Sequence, residues 1–235
     1  MNIERLYSVI ETINIVGIKE IIIEKSDDKV MIRGADSTDD SEQPSIVLIS
    51  ETDHNIVDTT MGISRVPVML NRMKLFDLTK TKLSQVDNDV GDYVKSITLK
   101  ESRKKVSYTF ANPDTINVPS GTIDDNVSNS ITLTKEYIDN LIKANQAMNS
   151  ELISISVINN EMVIELFDGI SDSFTDILSE NCVGEWSYNW RTDSVMKLLR
   201  QAIKNNDSVE LGIGDLGILY VEVNELIFIV MPQVL

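Results

Sequence analysis

The sequence holds one cysteine, Cys182, and one histidine, His54. A disulfide framework within the chain is excluded, and so is a metal cage built from Cys and His. A reducing, cytosolic setting fits that usage. No apolar run approaches the ~20 residues needed to span a bilayer, so no membrane contact is expected. The opening MNIERLYSVIE has acid and base in its first turns and does not read as a signal peptide. Cations are scarce, with 21 Lys and Arg against 37 Asp and Glu and a net charge of −16. That average excludes a protein coated in DNA-binding residues and discourages random contact with nucleic acid. It leaves open how the few cations are distributed.

What is present is a repeat. The chain is long enough, at 235 residues with 42% hydrophobic, for one large domain or two modest ones. Ile21–Ile32 (IIIEKSDDKVMI) aligns without a gap to Ile153–Ile164 (ISISVINNEMVI). Each reads as apolar strand, two-residue polar turn (Asp27-Asp28, Asn159-Asn160), and second apolar strand, which is a hairpin signal. A helical pattern precedes each. Ile3, Leu6, Val9, Ile10 and Ile13 carry the first. Tyr137, Ile138, Leu141, Ile142 and Ala144 carry the second, with Thr134 as N-cap. A second helix is expected over 67–82, with Pro67 in its first turn, and its counterpart over 191–206, capped by Thr192 or Asp193. Strand pairs follow both: Ser96–Lys100 with Lys105–Phe110, and Ser208–Gly212 with Ile218–Val223, plus Leu226–Met231. The economical reading is α+β, with two diverged copies of one module over 1–111 and 130–235. The Pro-, Gly-, Asn- and Asp-rich stretch 112–129 joins them.

Charge is divided between the elements. On helices drawn at 2–14, 67–82, 134–149 and 191–206 sit Arg5, Arg72, Lys74, Lys80, Lys82, Lys135, Lys143, Arg191, Lys197, Arg200 and Lys204. The same helices carry six acids, so they sum to +5 and the rest of the chain to −21. Lys197, Arg200 and Lys204 recur at spacings of three and four and share one helix side. Val195, Leu198, Leu199 and Ala202 take the other and are expected to pack on a sheet. A cationic helix surface gains counterion release from phosphates without reading sequence, while an acidic remainder repels DNA elsewhere. These helices carry only Tyr7, Phe76 and Tyr137 as aromatics, which argues against stacking on single strands.

Several motifs resist a catalytic reading. Gly212–Gly217 (GIGDLG) matches a dinucleotide fingerprint, but an apolar strand follows where a helix is required, so a hairpin turn is expected. Asp87–Asp92 lacks the downstream bidentate Glu of a calcium loop. His54 has no nucleophile partner, and Cys182 reads as a small packed residue. Asp39-Asp40 and Asp124-Asp125 read as solvated loops, not a two-metal site. No catalytic residue, metal or cofactor is expected.

The order of elements resembles the DNA sliding clamps. Leu226–Val234 (LIFIVMPQV) looks like the ending of eukaryotic and archaeal clamps. Met61–Leu75 (MGISRVPVMLNRMKL) looks like a strand and helix of their first domain. Tyr108–Pro119 (YTFANPDTINVP) and the helix close to Met1 are nearer to the short clamps of tailed phages. The first module departs from the family in lacking a strand before its first helix, and the connector is short. The resemblance implies a head-to-tail homotrimeric ring with helices lining the hole. Its partners are double-stranded DNA, a DNA polymerase and an ATP-driven clamp loader, in the cytoplasm of a bacterial host. It also implies a partner-peptide pocket beside the connector, at Ala35, Ile46, Leu48, Val118, Ile123, Ile229, Met231 and Pro232. Two other functions stay open: a monomeric processivity subunit lying on one side of DNA, and an acidic DNA mimic that inhibits a nucleic-acid enzyme.

Overall fold

The computed structural model describes residues 2–26, 29–37, 43–52, 56–119, 123–168, 172–180 and 182–233. Asp27-Asp28, Asp39-Asp40, His54, positions 120–122 of the connector and Val234 lie outside them. The chain divides into two compact units, Met1–Thr122 with Asn224–Ile227, and Ile123–Val223 with Phe228–Leu235.

Unit 1 opens with helix α1 (Ile3–Val16), where Asn2 Oδ1 accepts from the Arg5 N–H at 3.1 Å. Leu6, Val9, Ile10, Ile13 and Val16 fall on one face and are buried. Each such side chain contributes roughly 1.5–3 kcal/mol of transfer free energy. The β-branched run after it makes strand β1 (Glu20–Ser26), followed by β2 (Lys29–Ala35), β3 (Ile46–Thr52) and β4 (Met61–Ile63). These run β4-β1-β2-β3, antiparallel, with β1 and β2 in register from Glu20↔Ala35 to Ser26↔Lys29. Helix α2 (Val66–Met73) leads to β5 (Lys82–Asp87), β6 (Val94–Glu101) and β7 (Lys104–Thr109), a second antiparallel sheet in that order. The chain leaves unit 1 past Gly62. A Cβ there would meet the Ala111 oxygen at 2.8 Å and Pro113 N at 3.2 Å, so the close approach needs glycine.

Unit 2 repeats the order and adds one strand. It runs β8 (Val127–Thr134), α3 (Lys135–Met148), β9 (Leu152–Ile158), β10 (Glu161–Phe167), β11 (Ser173–Glu180), β12 (Trp186–Arg191), α4 (Thr192–Ala202), β13 (Ser208–Gly214) and β14 (Leu219–Val223). One sheet is β11-β10-β9-β12 and another is β14-β13-β8. β15 (Leu226–Val230) straddles the division, and within unit 1 the Ile227 N–H donates to Ser50 Oγ at 3.3 Å. Thr134 caps α3 as expected, accepting from the Tyr137 N–H at 3.2 Å.

The structure corrects two helix limits. The helix expected over 67–82 stops at Met73. Its last turn tightens, with the Phe76 N–H on the Met73 oxygen at 3.1 Å. Asp77 then takes an extended conformation and accepts from the Thr79 N–H at 3.2 Å, starting a separate single turn at Leu78–Lys80. Likewise α4 is not capped by Thr192 or Asp193. Arg191 holds the cap position without a side-chain bond, and the Thr192 N–H goes to the Glu151 oxygen at 3.0 Å.

Candidate nucleic-acid interface

Shorter helices change the charge distribution. On the observed α1–α4 lie Arg5, Arg72, Lys135, Lys143, Lys197 and Arg200 against Glu4, Glu11, Glu136, Asp139 and Asp193. The helices sum to +1, not +5, and the remainder to −17. Lys80 sits in the separate turn, Lys82 opens β5, and Lys74, Arg191 and Lys204 flank helix ends.

What survives is concentrated on α4. Val195, Leu198, Leu199 and Ala202 are buried, as their spacing predicts. Asp193, Lys197 and Arg200 are exposed, and Lys204 continues the stripe in the turn beyond Ala202. Two cations therefore share the exposed face of α4 and a third extends the stripe past its end; Arg200, in the last turn, is the one the macrodipole favours. Lys197 Nζ lies 3.4 Å from Asp193 Oδ2 one turn back, a solvated pair worth a few tenths of a kcal/mol, about 0.3–0.5. On α3 the exposed side is mixed, with Glu136 and Asp139 beside Lys143, while Lys135 is exposed at the helix start.

Unit 1 is different. The outer stripe of α1 holds Glu4, Ser8, Glu11 and Ile15, and no cation. Arg5 is paired with Glu225. Arg72 donates to the Ser107 oxygen at 3.0 Å, and its guanidinium lies 5.2 Å from the Tyr108 ring centroid. That ties it to β7, with its charge still half-exposed. Lys80 binds Asp77 at 2.7 Å. The hydrogen bond from Lys80 is the main reason the Asp77 carboxyl is held below its ordinary range. Lys74 and Lys82 are exposed.

The eight residues assigned to a partner pocket separate by burial. Ala35, Ile46, Leu48 and Ile229 are each at most 3% exposed. Ala35 and Ile46 sit at the adjoining ends of β2 and β3, where the Asp36 N–H donates to the Ile46 oxygen at 3.0 Å. Val118, Ile123, Met231 and Pro232 are half-buried. In unit 2 the C-terminal residues are tied to β12, with the Gln233 N–H on the Asn189 oxygen at 2.8 Å. That strand carries a feature the sequence reading missed. Trp186, Tyr188 and Trp190 alternate along it, with centroids 5.6 Å and 6.4 Å apart in succession. Tyr188 Oη donates to the Asp215 oxygen at 2.9 Å and Trp190 Nε1 to the Gly217 oxygen at 3.0 Å. The W-S-Y-N-W alternation was the available signal.

The motifs set aside in the sequence are structural. GIGDLG closes the β13–β14 hairpin, with the Gly214 N–H on the Ile218 oxygen at 2.9 Å. Asn88 Oδ1 closes the Asp87–Asp92 loop by accepting from the N–H groups of Gly91, Asp92 and Tyr93. Asp125 is not a solvated loop acid, a further correction: its carboxylate accepts from the Leu216 N–H at 3.1 Å and Tyr220 Oη at 3.3 Å. Among the described residues no group of three His, Cys, Asp or Glu is placed to hold a metal ion, and no helix is long and apolar enough to cross a membrane.

No family model matches the sequence, and no curated protein matches it. Solved structures do. The PCNA of A. fulgidus, bound to the C-terminal region of FEN-1, is similar with TM-score 0.69 and 15% identity over 100% of this chain and 97% of that one. PCNA from Entamoeba histolytica is similar with TM-score 0.63 and 17% identity over 97% and 95%. The DnaN sliding clamp of Pseudomonas aeruginosa is similar with TM-score 0.64 and 9% identity over 97% of this chain and 62% of that one. The chain has the fold of the DNA sliding clamps.

Proposed function

We propose that this chain is a sliding clamp: a ring subunit that encircles duplex DNA and tethers a replicative DNA polymerase for processive synthesis. The observation that carries the reading is the α4 stripe. On a chain of net charge −16, Lys197 and Arg200 on the exposed face of α4 and Lys204 in the turn beyond it form a cationic stripe in a clamp fold. Weak phosphate contacts from such a face hold a duplex without reading its sequence. An encircling ring stays on DNA by topology, so those contacts can be few and sliding fast.

The ring would be a head-to-tail homotrimer. Each chain offers the means: β7 and β11 are outer strands of their sheets, and an edge of one copy can extend the edge of the next. β7 carries Lys104 and Lys105 and β11 carries Asp176 and Glu180, so the two edges differ in the sign of their charge. Opening would need an ATP-driven loader, and ATP would not be hydrolysed by this chain. The polymerase would dock a short apolar peptide against the half-buried Val118, Ile123, Met231 and Pro232, in the cytoplasm of the bacterial host.

Sedimentation equilibrium of the pure protein tests the assembly. Three chains of 26.4 kDa are expected to sediment together. A stable single-chain mass at working concentration would favour a monomeric processivity subunit instead.

A further inference from the structure

Unit 2 contains a strand for which unit 1 has no counterpart among the described residues. β8 pairs along β13 from Ser208↔Thr134 to Gly214↔Val127 and closes that sheet edge. β5 holds the place in unit 1 that β13 holds in unit 2: it follows the second helix and begins a run of strands. Its inner edge pairs with β6. Among the described residues no strand pairs with its outer edge, and no backbone hydrogen bond outside the sheet reaches residues 82–87.

An open edge presents unpaired N–H and C=O groups, which proteins normally blunt with proline, charge or a bulge. β5 is blunted only at its ends. Leu83, Ser84, Gln85 and Val86 are uncharged, and the one register shift falls between Val86 and Asp87. Val86 is 56% exposed.

We propose that the outer edge of β5 is a docking site for an extended segment of a partner protein, added as an antiparallel strand in the place β8 takes in unit 2. The edge dictates the segment's charge. Lys82 stands directly opposite Lys100 on β6, a like-charge pair that an acid on the added strand relieves. At the other end Asp87 is exposed with Asp89 and Asp92 in the turn that follows. Antiparallel addition brings the first residue of the segment to Asp87 and its last to Lys82. The segment therefore begins with Lys or Arg, ends with Asp or Glu, and sets apolar side chains opposite Gln85 and Leu83, which are half-buried. A second copy of β5 fits less well. In a two-fold antiparallel pair, facing residues share a sheet face and lie an even number of positions apart, so Lys82 never opposes Asp87.

The site is read on the single chain, so it stands or falls independently of ring formation. The probe is a terminally blocked peptide, Arg-Thr-Val-Thr-Ile-Glu, with its charge-reversed form Glu-Thr-Val-Thr-Ile-Arg as control. Amide hydrogen exchange is followed on the full chain. The first peptide is expected to slow exchange across Lys82–Asp87. Lys82→Glu with Asp87→Lys, both at exposed positions, is expected to reverse the preference between the two peptides by about tenfold. Protection mapping elsewhere, no protection, or an unchanged preference in the double variant would overturn the proposal. So would protection of Lys82–Asp87 that rises with protein concentration alone, which would assign the edge to a second copy.

Discussion

Replacing Lys197, Arg200 and Lys204 together by Gln removes the cationic stripe that α4 begins and the turn beyond Ala202 continues. All three are exposed, Lys197 and Arg200 on a helix whose buried side includes Val195, Leu198, Leu199 and Ala202, and Lys204 in the turn beyond it. Gln has nearly the helix propensity of Lys and Arg, so the fold should lose only a few tenths of a kcal/mol, about 0.5. Loss of the Lys197–Asp193 pair at 3.4 Å adds about 0.3–0.5 kcal/mol at most. The effect on DNA is larger and has a distinct signature. Each cation that neutralises a phosphate contributes about 0.9 to the slope of log K against log salt. If all three touch phosphates, the slope falls by roughly 2.7 for each chain engaged. Duplex binding followed by fluorescence anisotropy across a salt series gives that slope directly. A variant that keeps its circular dichroism and its slope would refute the assignment of α4 to the DNA face.

Gly214→Ala is expected to destabilise unit 2. Its Cβ would fall 1.7 Å from Asp125 Oδ2, and that carboxylate is bound by the Leu216 N–H and Tyr220 Oη. A loss of about 1–3 kcal/mol in urea unfolding is the expected scale. Tyr220 gives a pH test. Burial first, and Asp125 second, push its phenol up to about 12. Because the folded form holds its proton above the unfolded value, this stabilisation is present below about pH 10 and is lost as pH rises toward the folded value. Tyr220→Phe should remove one phenol from the part of the ultraviolet phenolate titration that falls near that value, leaving Tyr137, which burial pushes higher still. Met231→Glu with Pro232→Ala should weaken binding of a polymerase C-terminal peptide in calorimetry, and undiminished affinity would remove those residues from the docking surface.

The repeat was legible because both copies keep the same apolar periodicities. Ile21–Ile32 and Ile153–Ile164 do form β1–β2 and β9–β10. The two faces of α4 were legible for the same reason, since spacings of three and four separate Lys197 and Arg200 from Leu198 and Leu199. The end of α2 was not. Leu75, Phe76 and Leu78 continue a helical pattern, and the bonds of Asp77 stop it: its carboxylate accepts from the Thr79 N–H, and its own N–H donates to Glu101 Oε2 at 3.0 Å on a distant strand. β11 was missed because Asp176 interrupts the half-buried face of Phe174 and Leu178, leaving no clean apolar alternation. Burial at the pocket positions was illegible for another reason: motif position says where Ile46 and Leu48 lie along the chain, not that both side chains are fully enclosed. At 9–17% identity to the clamps of known structure, the fold is kept by element order and by which positions are apolar, not by particular residues.

Topology offers the most direct test of the claim that this chain encircles DNA. The protein is loaded onto nicked circular duplex with the clamp loader of its own replication system, and the DNA is then cut once. The account predicts that protein remains on the circle through a high-salt wash and runs off after linearisation, when free ends let a closed ring slide away. Equal retention on circular and linear DNA, or release from the circle by salt alone, would contradict it.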